Sequence, residues 1–192
     1  MLCAAPMRMK SGLPIALLLV GCGTPAAERA PERVIEPRPA GAVARGDGLL
    51  RAAMIAGHAA VRDRFGSPPL TWDITLAADA SRYARTLAER GQFAHSTGSR
   101  GAEPEGENLW TGTRAAYRYD EMVGHWAAEA VMFRSGVMPA VSTTGRWQDV
   151  GHYTQMVWPT TTRFGCALAS NRTGDYLVCR YALPGNVVGR RL

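Results

Sequence analysis

Two apolar segments, residues 164–170 and 175–182, flank Asn171-Arg172-Thr173-Gly174, and each carries one cysteine. Turn-forming residues between two strand-like runs predict a β-hairpin. A turn centred between Arg172 and Thr173 sets Cys166 directly opposite Cys179. That separation suits a disulfide. Closing so short a loop contributes on the order of 3 kcal/mol in the chain-entropy model.

The other two cysteines lie near the N-terminus. Arg8 and Lys10 precede an apolar run, residues 13–20, too short to span a bilayer. The run ends in Leu19-Val20-Gly21-Cys22, the pattern of a bacterial lipobox. Cleavage before Cys22 would remove Cys3, and diacylglycerol on the Cys22 thiol would consume Cys22. Cys166 and Cys179 are then left to pair, in a compartment where disulfides persist. The competing reading is an ordinary signal peptide with a chance cysteine. Gly23 stands where an Asp often retains lipoproteins at an inner membrane, so an outer-membrane destination is expected where such a membrane exists.

Residues 23–46 hold Pro25, Pro31, Pro37 and Pro39 and almost no large apolar side chain. Such a segment cannot bury a core and is expected to be a semi-extended tether. The expected organisation is a lipoprotein signal over residues 1–22, the tether over 23–46 and one domain over 47–192. The chain carries 22 basic and 16 acidic residues; removing Arg8 and Lys10 leaves 20 against 16, a net of +4. With no Lys/Arg stripe interleaved with aromatics, nucleic acid is not an expected partner. The expected partners are a membrane, through the anchor, and a lipid, glycan or protein ligand.

Within the domain, Leu50, Met54, Val61 and Phe65 recur at helical spacing, with Asp47 able to cap the start and Gly66 to end the helix. Gly57 falls in the middle of that helix at some cost in propensity. Residues 73–90 form a second helix, capped by Asp73 and ended by Gly91, with Leu76, Ala80, Tyr83, Ala84 and Leu87 on its apolar face. Residues 92–111 read mostly as loop. Residues 118–133 read as a third helix with Met122, Trp126 and Ala130 on one stripe, and residues 134–149 as irregular. Residues 152–158 read as extended. Helices followed by strands indicate an α+β domain, to whose core Trp72, Trp110, Trp126, Trp147 and Trp158 are expected to contribute.

Residues 151–158, Gly-His-Tyr-Thr-Gln-Met-Val-Trp, match the signature G-H-Y/F-T-Q-x-x-W throughout. Cys179, Tyr181, Gly185 and Asn186 match C-N-Y-x-P-x-G-N, with Arg180 in place of the usual Asn and Leu183 at the usual Pro position. Phe93-Ala94-His95-Ser96, Gly106-Glu107-Asn108-Leu109 and Trp126-Ala127-Ala128-Glu129 match further blocks in order. Over residues 50–186 the chain resembles the CAP superfamily, which includes cysteine-rich secretory proteins, antigen 5 and plant pathogenesis-related 1 proteins. The resemblance implies an α-β-α sandwich with a small, mostly antiparallel sheet between helices. It also implies that His95, Glu107, Glu129 and His152 converge in a central cleft, the two histidines facing each other. Members of the family bind sterols and fatty acids, and others act as toxins or defence proteins.

Neutral imidazoles bind borderline divalent metals such as zinc, and neighbouring carboxylates can orient them or act as bases. Two histidines make an incomplete zinc site, because catalytic zinc usually takes three protein ligands and a water. The expected function is therefore a ligand-binding module of the cell envelope rather than a turnover enzyme. The alternative is a metal-assisted hydrolase with His95 and His152 as ligands and Glu107 or Glu129 as base. A third reading makes the four residues a hydrogen-bonded support in an envelope-stability protein. Among the other polar residues, His58 is expected to pack at the core edge and His125 at the surface. Ser96 and Asn108 are expected to make loop hydrogen bonds, and Tyr153, Gln155 and Trp158 to pack or to line the cleft.

Overall fold

The computed structural model describes residues 33–34, 43–97 and 104–192. The lipobox, Cys22 and most of the tether lie outside the described residues. The elements run β1 (Arg33–Val34), α1 (Asp47–Phe65), β2 (Thr71–Trp72), α2 (Ile74–Arg90), β3 (Gly106–Thr113), α3 (Tyr119–Ala128), α4 (Gly151–Val157), β4 (Arg163–Ser170) and β5 (Gly174–Ala182). Short 3-10 turns at Glu129–Met132 and Trp147–Val150 follow α3 and precede α4.

The five strands form one sheet in the order β1-β3-β5-β4-β2. The long strands β3, β5 and β4 pair antiparallel, and the two short edge strands pair parallel. Cys166 and Cys179 are register partners and form the disulfide, 13 residues apart in sequence. Successive strand residues face opposite sides of a sheet. On one side, Leu109, Tyr176 and Val178 pack against Ala80, Ala84 and Leu87 of α2. On the other, Trp110, Phe164, Cys166, Leu177, Cys179 and Tyr181 pack under α1, α3 and α4. The architecture is the α-β-α sandwich that the resemblance implied.

Local chemistry accounts for the helix ends. Asp73 accepts hydrogen bonds from the N–H groups of Thr75 and Leu76 and so caps α2, while Gly66 and Gly91 take the left-handed conformation that ends α1 and α2. Asp47 is the first residue of α1 rather than its cap; Gly46 holds the cap position with no side-chain bond. Gly57 has a packing reason that the sequence did not show: a Cβ there would stand 2.6 Å from Val123 Cγ1, so α1 and α3 meet at the glycine.

Four expectations need correction. Residues 152–158 are helical, as α4, not extended. A short run buried on nearly every side carries no period that separates helix from strand, and Tyr153 through Trp158 are all buried. Within 92–111, Gly106 begins β3, a strand disguised by polar residues at buried positions. The third helix ends at Ala128, and Ala130 is exposed in the 3-10 turn that follows. The sheet also reaches into the segment assigned to the tether, because Arg33–Val34 pairs with Thr111 and Gly112. Arg45 adds a second anchor there, donating to Tyr117 O (2.8 Å) and to the buried carboxylate of Asp175 (2.6 Å).

Two buried polar residues tie α1 to the rest. Arg62 donates to the carbonyls of Pro68, Met156, Trp158 and Thr161, which fastens α1 to the C-terminal end of α4. His58 is the packing histidine expected. Its Nδ1 lies 2.7 Å from Met54 O and its Nε2 lies 2.9 Å from the Tyr181 hydroxyl. A carbonyl only accepts, so Nδ1 carries the proton and Tyr181 O–H donates to Nε2. Burial lowers the His58 pKa from 6.5 to about 4, against the raising effect of the Met54 carbonyl. The fold therefore holds His58 neutral, while the unfolded chain protonates it below pH 6.5. Its stabilising contribution is complete above pH 6.5 and is lost as pH falls towards 4, on the order of 3 kcal/mol in all. Urea unfolding between pH 7 and 4.5 should show that loss, and His58→Gln, though weaker at pH 7, should flatten the slope. An equal slope in the variant would assign the loss to another group.

Candidate functional site

His95 lies in the loop after α2, and Glu107 is the second residue of β3. Glu107 Oε1 accepts from His95 Nδ1 (2.6 Å) and from the backbone N–H of Ser96 (3.0 Å). His152 is the second residue of α4, and Glu129 stands just past α3. Glu129 Oε1 accepts from His152 Nδ1 (2.6 Å), and Oε2 accepts from the N–H groups of His152 (2.9 Å) and Tyr153 (3.0 Å). The two pairs share one logic: each glutamate grips a histidine ring and the backbone that carries it. For α4 the grip is also a cap, since its N-cap residue Val150 makes no side-chain bond and Glu129 satisfies free N–H groups of the first turn.

The carboxylates fix the tautomers. Each Nδ1 donates to its carboxylate, so each ring turns its Nε2 edge away from its glutamate. Neither Nε2 has a hydrogen-bond partner among the described residues. The His95 side chain is 31% exposed and that of His152 17%, so both can be reached by a ligand. His152 also stacks on Trp126, with centroids 5.9 Å apart and planes 18° apart, which holds the ring's orientation from behind.

Two residues link the pairs to the sheet. Asn108 donates from Nδ2 to His152 O (3.1 Å). It makes the backbone bond expected of it, but from β3. Arg180 is the register partner of Glu107. Its Nη2 lies 2.9 Å from Glu107 Oε2, its Nη1 donates to Ser96 Oγ (3.1 Å), and its guanidinium lies 5.2 Å above the Tyr83 ring. Burial alone would raise the Glu107 pKa; the His95 hydrogen bond and the Arg180 charge outweigh it and hold the carboxyl below its ordinary range. Arg180 stood out in the sequence only as a departure from the signature, and its contact with Glu107 follows from the β3–β5 register.

The structure thus brings His95 to Glu107 and His152 to Glu129. Among the described residues, no group of three or more His, Cys, Asp or Glu side chains could hold a metal ion. A carboxylate on Nδ1 is the orientation that metal-binding histidines use, but among the described residues a third ligand is missing, and three of the four glutamate oxygens accept hydrogen bonds while Glu107 Oε2 meets only the Arg180 charge. Ser96 makes loop hydrogen bonds, as expected. His125 is half-buried rather than a surface residue, accepting at Nδ1 from Trp110 Nε1–H (2.8 Å). Tyr153, Gln155 and Trp158 are buried around α4. Gln155 Oε1 accepts from Gly185 N–H (2.8 Å), tying α4 to the segment after β5.

A helix-sheet-helix domain with two glutamate-clamped histidines defines a recognisable class. The model of the CAP, or cysteine-rich secretory protein, family matches residues 55–181, and the chain belongs to that family. It is 37% identical over 134 residues to pathogenesis-related protein 1C of Nicotiana tabacum, covering 69% of this chain and 74% of that protein. It is also 37% identical over 122 residues to protein PRY2 of Saccharomyces cerevisiae, covering 62% of this chain and 32% of PRY2. Among solved structures, Na-ASP-1 superposes with a TM-score of 0.60 at 24% identity, covering 73% of this chain and 40% of that one. The structure described as NaASP2 with Zn2+ gives 0.60 at 21% identity, covering 76% and 85%. These superpositions establish the shared fold.

The clamp predicts a measurable tautomer. Glu129→Gln keeps an oxygen for the backbone N–H groups, but its amide nitrogen cannot accept from His152 Nδ1. Nitrogen-resolved NMR should find the His152 proton on Nδ1 in the wild type and shifted to Nε2 in the variant. Glu129→Ala should further destabilise the fold by about 1–3 kcal/mol through uncapped N–H groups. An unchanged tautomer in Glu129→Gln would show that Glu129 does not set it.

Proposed function

We propose that the protein is a cell-envelope binding module, held to a membrane through a lipid on Cys22, which captures a hydroxyl- or amide-bearing ligand at the Nε2 edges of His95 and His152. The engagement of both glutamates carries this reading. A general base needs a free lone pair within reach of a substrate proton. Glu129 is occupied by His152 and two backbone N–H groups, and Glu107 Oε1 by His95 and Ser96, while Glu107 Oε2 is buried against the Arg180 charge. Two fixed imidazole acceptors remain accessible, and they suit a donor group on a glycan, a lipid headgroup or a protein. On this reading the glutamates orient the site and do not turn over a substrate. The Leu19-Val20-Gly21-Cys22 run supports the anchor, and the prolines of the tether support a domain carried off the surface.

Binding of the full-length chain should be measured against soluble cell-wall glycan fragments and phospholipid vesicles, beside the His95→Ala/His152→Ala variant. At least one probe should lose tenfold or more in affinity while the thermal midpoint of the variant stays within a few degrees. Equal binding by a folded double variant would refute the imidazole edges as the ligand site. Hydrolysis of either probe that disappears in Glu129→Gln would favour the metal-assisted hydrolase instead. Cys22→Ser should move the protein from the membrane fraction to the soluble exported fraction; retention would refute the anchor.

A further inference from the structure

We propose that the surface built from residues 131–141 and 183–192 is a membrane-docking face, which seats the domain on anionic phospholipid through exposed valines and arginines. Five of the eight large apolar side chains exposed among the described residues lie in these two segments: Val131, Val137, Leu183, Val187 and Val188. A single exposed valine needs no explanation, but such clustering does. The segments are hydrogen-bonded to each other. Gly136 and Leu192 exchange two backbone bonds (3.0 and 2.9 Å), Met138 N–H donates to Arg190 O (2.8 Å), and Gly189 N–H donates to Met138 O (3.0 Å). Val137 and Arg191 are therefore directly opposite neighbours with their side chains on one face. Met138 and Leu192, next along each segment, are buried behind it. Arg190 N–H closes a turn onto Val187 O (3.1 Å), and Val188, 76% exposed, stands at its tip.

Charge selects the partner. The two segments carry Arg134, Arg190 and Arg191, all exposed, and no Asp or Glu. Among the described residues no ion pair engages these arginines. Guanidinium forks suit phosphate oxygens, and valines beside them suit the hydrocarbon beneath, the two contributions that add in interfacial binding. A second copy docking through the same face would set arginine against arginine. The face is also rigid. Asn186 accepts from Thr154 Oγ1 (2.6 Å) and donates to Gly151 O (2.9 Å), which fastens the segment after β5 to the start of α4. That segment begins beside the first residue of β3, where a Cβ on Gly106 would stand 3.2 Å from Pro184 Cα. Strand β1 runs parallel to β3, so its N-terminal side looks towards the same end. Cys22 stands 11 residues before Arg33, a stretch that reaches at most about 40 Å. A lipid there would hold the face near a bilayer at high effective concentration, where a modest patch suffices.

This inference rests on the proposed anchor only for the tether. The full-length chain carrying Cys22→Ser, and so no lipid, tests the face by itself. It should cosediment with vesicles of mixed phosphatidylglycerol and phosphatidylcholine, and lose at least tenfold in affinity on phosphatidylcholine alone or in high salt. On the mixed vesicles, Arg190→Glu/Arg191→Glu should lose at least tenfold and Val187→Ser/Val188→Ser at least threefold, with thermal midpoints within a few degrees of the parent. Val188→Trp, which adds an interfacial aromatic, should bind more tightly. Equal binding by either folded loss variant would overturn the proposal. So would binding that His95→Ala/His152→Ala abolishes and the face variants keep, which would assign the vesicle contact to the cleft. Self-association of the free chain that Val187→Ser/Val188→Ser removes would give the face to a second copy instead. The anchor is read separately, as diacylglycerol mass on Cys22 of the wild-type chain, and its absence would leave the vesicle results standing.

Discussion

Strand β5 is buried along all nine of its residues, between β3 and β4, and the two cores are built on its two faces. Three consecutive side chains on it serve three different purposes. Cys179 crosses to Cys166 and locks the hairpin. Arg180 turns to the α2 side and meets Glu107. Tyr181 turns back under the helices and donates to His58. The pleat dictates this division, because neighbours on a strand must look opposite ways. A one-residue slip of β5 would exchange all three environments at once, putting a guanidinium in the aromatic core and a phenol beside a carboxylate. The disulfide does more than close a loop here, since it fixes the register on which both polar contacts depend.

The glutamates show why this family's paired histidines are hard to read as chemistry. A carboxylate that accepts from a ring N–H and from backbone N–H groups has given its lone pairs to orientation. What is left at each histidine is its Nε2 edge, the group on which the proposed binding function relies. Catalysis by Glu129 would need it to release its backbone partners, which would uncap α4 and loosen the helix that carries His152.

Much of this was legible in the sequence, for definite reasons. The hairpin, its register and the cysteine pair follow from a turn with cysteines placed symmetrically about it. Helices α1 and α2 follow from apolar spacing, with Asp73, Gly66 and Gly91 marking ends. The His–Glu pairs followed from motif resemblance and could not be found by spacing, since Glu107 lies 12 residues from its histidine and Glu129 23 from its own. Two elements were misread for opposite reasons. Strand β3 carries Glu107 and Asn108 where a half-buried strand is expected to be apolar, because distant groups satisfy them. Helix α4 is buried on nearly every side and sets polar Thr154 and Gln155 among its buried residues, so no amphipathic period marks it. Arg62 was missed entirely: its partners are carbonyls, and carbonyls leave no trace in a sequence.

The polar groups of the core also form a route to the site. Met54 O accepts from His58 Nδ1, His58 Nε2 accepts from Tyr181, the Asn108 side chain hydrogen-bonds the same phenol, and Asn108 Nδ2 donates to His152 O. Burial pushes the Tyr181 phenol well above its usual pKa, although Asn108 and the Arg62 charge act the other way, so it donates as a neutral hydroxyl throughout the physiological range. Every member of this chain has one arrangement that leaves no donor facing a donor, and buried networks specify structure most strongly when fully satisfied. The position of the His152 backbone is therefore held from two directions, by Glu129 at the start of α4 and by Asn108 from the sheet. On the proposed reading, an edge held on both sides by buried hydrogen bonds loses little freedom when a ligand arrives, and that preorganisation favours affinity.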